Sequence, residues 1–205
     1  MHTLVTDGTI TKYFKNPKGF TLGDLQYPKD IFTKWSTSEL KAIGIYEVVF
    51  DNSNFKNEYY YINTNQSFAF ANDTVTASYG SATPKAHADT LFTAQDETDG
   101  LGTEDDVKEK GLKTNYKENF NTQAASLLLL TDWYVVKATE VSGYSVPSAI
   151  TTYRAAVRTK VNAMETAIAN CANVAALETL LEYTSNDADP PVTSRPLGEF
   201  PDEVV

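Results

Sequence analysis

Six large apolar residues between positions 148 and 170 return at steps of three and four: Ile150, Tyr153, Val157, Val161, Met164 and Ile168. Only a helix places such a series on one side, because 3.6 residues complete a turn. Arg154, Arg158, Asn162 and Glu165 fall on the opposite side. Pro147 suits the first turn of that helix, and Gly143 the turn before it. A helix this long with one apolar face must be covered, so the rest of the chain has to supply a partner. Asn173 can cap a short final helix whose inner face is Leu177, Leu180 and Leu181.

The partner is expected just upstream. Residues 127–136 read LLLLTDWYVV, and eight of the ten are large and apolar. The run is roughly half of the ~20 residues a membrane-spanning helix needs. It is flanked by Asn121, Thr122, Gln123 and Ser126 on one side and by Lys137 and Glu140 on the other, so a membrane span is excluded. Two readings remain. In the first, a helix beginning near Tyr116 or Asn121 ends at Leu130, and Thr131 or Asp132 caps a second helix over 133–140. Asp132 would then sit at the positive end of the second helix dipole. In the other, Trp133-Tyr134-Val135-Val136 forms a strand, for which its residues have high propensity. The helical reading expects these apolar residues in a core, with Trp133 packed on Tyr153. On that reading Trp133→Ala would cost roughly 3–5 kcal/mol, whereas Arg154→Ala would leave folding nearly intact.

The first 80 residues read differently. Residues 45–50 (IYEVVF) and 58–62 (EYYYI) are rich in β-branched and aromatic residues and are separated by turn formers, the pattern of a hairpin with a longer loop. Residues 67–70 and 74–79 alternate polar with apolar around Ala71-Asn72-Asp73, a tighter hairpin. A short helix precedes them. Ser36-Thr37-Ser38-Glu39 fits a capping box, Trp35 is placed to staple onto Leu40, and Gly44 is placed to end the helix.

Residues 81–111 are polar, acidic and glycine-containing, and read as a linker or long surface loop. The expected fold class is α+β. Aromatic-rich antiparallel hairpins with one short helix occupy 1–80, the linker 81–111, a small helical hairpin or bundle 112–184, and an extended proline-rich tail 185–205.

Charge and composition narrow the function. A formal net charge of −10 and a pI near 4.6 argue against nucleic acid and against anionic membrane surfaces. The apolar fraction of 41%, with twelve Tyr and ten Phe, is that of a folded chain. A single cysteine, Cys171, allows no intrachain disulfide, and the opening MHTLVTDGTITKYF lacks the pattern of a signal peptide.

No catalytic constellation is expected. His2 lies at the terminus and His87 in the acidic segment, both read as solvated, and Cys171 reads as a packing residue. One cysteine with two distant histidines makes no zinc site. The run Asp96-Glu97-Thr98-Asp99-Gly100 fails the calcium-loop register, because Gln95 falls where the first carboxylate belongs. Gly100-Leu101-Gly102 lacks the third glycine of a nucleotide fingerprint, and Asn65 and Asn72 match glycosylation acceptors without a secretory route. Arg154, Arg158 and Lys160 form a basic edge, either solvated or facing an acidic surface. The expectation is no enzyme, no cofactor and no metal.

Leu128-Leu129, Thr131-Asp132-Trp133, Tyr153-Arg154 and Val157-Arg158, taken in order, resemble a pattern in virion-associated tail proteins of marine tailed bacteriophages. The pattern resembles the tail-assembly-chaperone-type segment, and Trp133-Tyr134-Val135-Val136-Lys137 is similar to the C-terminal part of virion-associated proteins of marine phages, whose aromatic-proline close Phe200-Pro201 matches. Residues 27–32 (YPKDIF), Ser36, Glu39 and Gly44-Ile45 resemble the N-terminal module of the same proteins.

The resemblance implies a structural tail protein of the virion: a fibre, baseplate or accessory subunit made in the host bacterial cytoplasm. Its partners would be other tail or fibre proteins and further copies of itself in a symmetric assembly. Trp133, Tyr134, Tyr153, Arg154, Arg158, Trp35 and Phe32 are the candidate interface or core residues. A fibre-assembly chaperone absent from the finished particle is the alternative. A tail-associated glycan-degrading enzyme is the remote one, since it needs paired carboxylates in a cleft.

Overall fold

A computed structural model describes residues 1–186, 191 and 193–204. The chain is α+β and divides into two compact units, the first ending at Thr83 and the second starting at Pro84. In the first unit the order is β1 (His2–Thr6), β2 (Thr9–Phe14), β3 (Phe20–Leu22), β4 (Leu25–Tyr27), α1 (Ile31–Lys34), α2 (Thr37–Ala42), β5 (Ile45–Asp51), β6 (Tyr61–Ile62), β7 (Ser67–Ala71) and β8 (Thr74–Ser78), with β9 (Thr83–Pro84) at the boundary. The second unit holds β10 (Thr90–Leu91), α3 (Ala94–Thr98), β11 (Val107–Glu109), α4 (Leu112–Leu129), α5 (Asp132–Glu140), α6 (Ser148–Asn170), α7 (Val174–Leu181), β12 (Thr184–Ser185) and β13 (Thr193–Ser194).

The first unit is built on a five-stranded sheet ordered β2-β1-β5-β8-β7, in which β5 and β8 run parallel and the other neighbours antiparallel. Alternation along the strands sends Leu4 and Ile45 to one face and Val5 and Val48 to the other. On the first face Phe14, Phe20, Ile31, Phe32 and Leu40 complete a core, with the Phe14, Phe20 and Phe32 rings 4.9–6.1 Å apart. Val75 and Ala77 complete the second. The edge strands approach one another, and Tyr13 stands edge-on to Phe68 at 5.0 Å.

The tighter hairpin is present as β7 and β8. Asn72 and Asp73 both take positive φ, the type I′ geometry that matches strand twist. The capping box is present too: Glu39 N–H donates to Ser36 Oγ, and Ser36 N–H donates to Glu39 Oε2 at 2.8 Å. Gly44 has φ +79°, and a Cβ there would lie 2.6 Å from the Val5 carbonyl oxygen, so two independent constraints require glycine. Trp35 makes its ring contact with Tyr27, edge-on at 5.9 Å.

The longer hairpin is not formed. Residues 45–50 do lie in a strand, but β5 takes β1 on one side and β8 on the other. Asn57 prevents 58–60 from extending: its carbonyl accepts from Tyr60 and Tyr61, and its side chain accepts from Tyr59 at 3.0 Å. That is a turn, so only Tyr61–Ile62 is strand, paired with β9.

In the second unit α4 packs mainly on α6, and all six residues of the α6 stripe are buried. Phe120 and Ala124 face them from α4. Asn173 Oδ1 accepts from Ala176 N–H at 2.9 Å and caps α7, which buries Val174, Leu177 and Leu181.

Residues 81–111 are folded rather than a bare linker. Thr93 and Asp96 form a second capping box on α3, and Lys108 closes on Asp96 at 2.7 Å. The Lys108 ammonium, with the amide and hydroxyl of Thr93, draws the Asp96 carboxyl down to about 2. Asp89 then ties the segment to α4, accepting from Gly111 N–H at 2.7 Å and Thr114 Oγ1 at 2.9 Å. Gly111 itself has no side chain to cap with, and the first-turn amides of Leu112 and Lys113 donate instead to the Ala86 and His87 carbonyls at 2.9 and 3.2 Å.

The expected tail over 185–205 extends past the described residues. In its described part, β13 pairs with β12, Leu197 is buried, and Leu197 N–H donates to the Leu180 carbonyl at 3.0 Å. Lys160 holds the Leu197 carbonyl at 2.8 Å, and the Arg195 guanidinium lies over Phe120 and Tyr183. These residues are not helical and dock on the bundle.

Candidate functional site

LLLLTDWYVV is a helix break, as the helical reading expects. α4 stops at Leu129 and α5 starts at Asp132, with Thr131 at the N-cap position. The Thr131 side chain makes no cap. It turns back, donating to the Leu128 carbonyl at 2.9 Å and accepting from Arg154 Nη1 at 2.7 Å. The same Arg154 nitrogen donates to the Leu128 carbonyl at 2.8 Å and meets Asp132 Oδ1 at 2.7 Å. One guanidinium from α6 thus gathers the end of α4, the break and the start of α5.

This corrects two expectations. Arg154 is neither a solvated edge nor a contact held out for a partner, because its side chain is only 11% exposed and spent inside the unit. Only Arg158, one turn on, stays exposed. Nor is Trp133 a core anchor on Tyr153. Tyr153 is buried in the bundle, whereas Trp133 is 52% exposed and lies against Tyr134 with ring centroids 3.8 Å apart. Burial, with the Glu203 carboxylate nearby, raises the Tyr153 phenol pKa, and its hydroxyl has no hydrogen-bond partner among the described residues.

The physical reason is the strap. With Arg154 fixing the break, α5 contributes no buried residue at all. Leu129 and Leu130 are 68% and 58% exposed, and Val135, Val136 and Val141 are exposed as well. Lys137 sits over the Trp133 ring at 5.6 Å and over Tyr144 at 4.4 Å. The result is an apolar face beside the break. It adjoins a groove of about 550 Å³ walled by Leu127, Leu130 and Phe200, with Thr122, Gln123, Ser126 and Glu203 at its sides.

The remaining candidates lie elsewhere. Phe32 is core of the first unit, and Trp35 sits at that core's rim. A groove of about 540 Å³ in the same unit is lined by residues 12–19, including Lys12, Lys15 and Lys18. His2 and His87 are not simply solvated. His2 packs on Phe32 at 5.1 Å, and the His87 Nε2 is buried without a hydrogen-bond partner among the described residues. Burial lowers the pKa of both imidazoles. Burial raises the Cys171 thiol, which leaves it a poor nucleophile.

Among the described residues no group of three His, Cys, Asp or Glu could hold a metal ion, and no helix is long and apolar enough to cross a membrane. Arg154 is among the candidate residues, but as an internal strap rather than an interface contact: directly after the buried Tyr153, it reaches the helix break from α6. Neither a family model nor a curated protein nor a solved structure matches the chain.

Proposed function

We propose that the chain is a non-enzymatic structural component of a tailed-phage virion, a fibre, baseplate or tail-accessory subunit that works by docking to other proteins. One observation carries the docking part: α5 is a nine-residue helix that has no fully buried residue and bears Trp133, Val135 and Val136 in the open. A helix this short is marginal by itself, and an apolar patch of this kind marks an interaction site. The tail assignment is supported by the sequence resemblance over residues 27–47, 128–133 and 153–158. The acidic body suits a subunit that stays soluble until assembly. Its partners on this reading are tail or fibre proteins and copies of itself, not nucleic acid or lipid.

Mass spectrometry of purified particles tests the reading. The chain is expected in stoichiometric amount. Recovery with the fibre during infection, but absence from finished particles, would assign it as an assembly chaperone. Absence from both would end the phage-tail proposal.

A further inference from the structure

We infer that the α5 face and the neighbouring groove are two halves of one self-association surface, with a second copy of this chain as the occupant. The inference rests on the docking reading above. The Trp133 indole of one copy enters the groove walled by Leu127, Leu130 and Phe200 of the other, and the exchange is reciprocal about a two-fold axis.

Three features point to this occupant. The first is that knob and hole adjoin on the same chain and share Leu130, yet Trp133 does not line its own groove. A projecting indole beside an open apolar slot of about 550 Å³ is self-complementary only between molecules.

The second feature is charge. Lys137 lies between the Trp133 ring, at 5.6 Å, and the Tyr144 ring, at 4.4 Å, so a pocket that receives the indole has an ammonium at its mouth. The groove carries one ionisable side chain, Glu203, and it is acidic. Insertion therefore brings Lys137 of each copy towards Glu203 of the other. Such a pairing fixes register and suppresses wrong docking more than it adds affinity.

The third is area. Leu129, Leu130, Trp133 and Val136 are each more than half exposed, and the groove walls Leu127 and Phe200 partly so. A reciprocal pair of such faces covers about 1,000 Å², the lower bound of a specific interface, whereas a single indole-in-groove contact between two copies covers about half of that.

The test is sedimentation of the full-length chain across a hundredfold range of concentration. A concentration-dependent dimer is expected. Trp133→Ala should weaken it by roughly thirtyfold or more, as for an interface anchor. Trp133 is 52% exposed, so at concentrations where the parent is monomeric the circular dichroism and thermal melting of that variant should match the parent, and a folding defect cannot mimic the effect.

Lys137→Glu and Glu203→Lys should each weaken the dimer, and the double variant should recover it. A chain that stays monomeric throughout overturns the inference. So does a dimer indifferent to Trp133→Ala, or single charge variants that the double does not rescue. A monomer that purified particles nevertheless contain, and lose on Trp133→Ala, refutes the second copy as occupant and leaves the virion reading standing. A rescued dimer absent from particles does the reverse.

Discussion

Arg154 shows how one side chain can decide what a neighbouring segment is for. Its Nη1 meets the Leu128 carbonyl, the Thr131 hydroxyl and the Asp132 carboxylate within 2.7–2.8 Å, on a side chain almost out of solvent. Thr131 is itself buried. Charged hydrogen bonds of this kind contribute more than neutral ones, and removing the donor strands buried acceptors. Arg154→Ala should therefore destabilise the second unit by about 2–3 kcal/mol, read as a lower denaturant midpoint. Arg154→Lys should recover only part of the loss, because an ammonium on a flexible stem does not reproduce the planar fork. A parent-like midpoint for Arg154→Ala would mean that the break holds without the strap.

At the scale of elements, the contrast is between α6, which buries its whole stripe, and α5, which has no fully buried residue. Protection from hydrogen exchange should follow it. Amides in the middle of α6 should exchange only through global opening, and those of α5 through local fraying orders of magnitude faster. Association through α5 should slow its exchange and leave α6 unchanged. If α5 is already as protected as α6 at high dilution, it is not a free docking element.

The two helices also show where sequence reading holds and where it stops. The α6 face is legible because period and burial agree at every position from Ile150 to Ile168. Ser36 and Asn173 are legible as caps because a cap is a local bond between near neighbours. The turn at Asn72 and Asp73 is legible because few residues accept its backbone. Trp133 is not legible in the same way: hydrophobicity says that a surface wants covering, but not whether its own chain or another covers it. The pairing of β5 with β1 and β8 is likewise non-local, and the apolar run at 58–62 competes with a turn that Asn57 wins by side-chain capture.

At the scale of the whole molecule, the boundary between units lies at Thr83 and Pro84, upstream of the helices. The acidic segment belongs with the bundle because Asp89 serves the first turn of α4 and because Gly111 lies against the Ala88 backbone, where a Cβ would come within 2.3 Å. The C-terminal residues belong with it because Leu197 is buried and Arg195 covers Phe120. Losing a cap costs about 0.5–2 kcal/mol, and losing a fully buried leucine about 1.5–3 kcal/mol. Together these are a large share of the roughly 5–15 kcal/mol that holds a domain. A fragment of residues 84–205 should therefore unfold cooperatively, with a helical signal dominated by α4 and α6. A fragment of 112–184, cut at the helices alone, should unfold at a clearly lower denaturant concentration or fail to fold. Equal midpoints for the two fragments would show that the acidic segment and the C-terminal residues are passengers on the bundle. A midpoint for 84–205 that is restored only when Asp89 and Leu197 are both intact would assign them as part of its core.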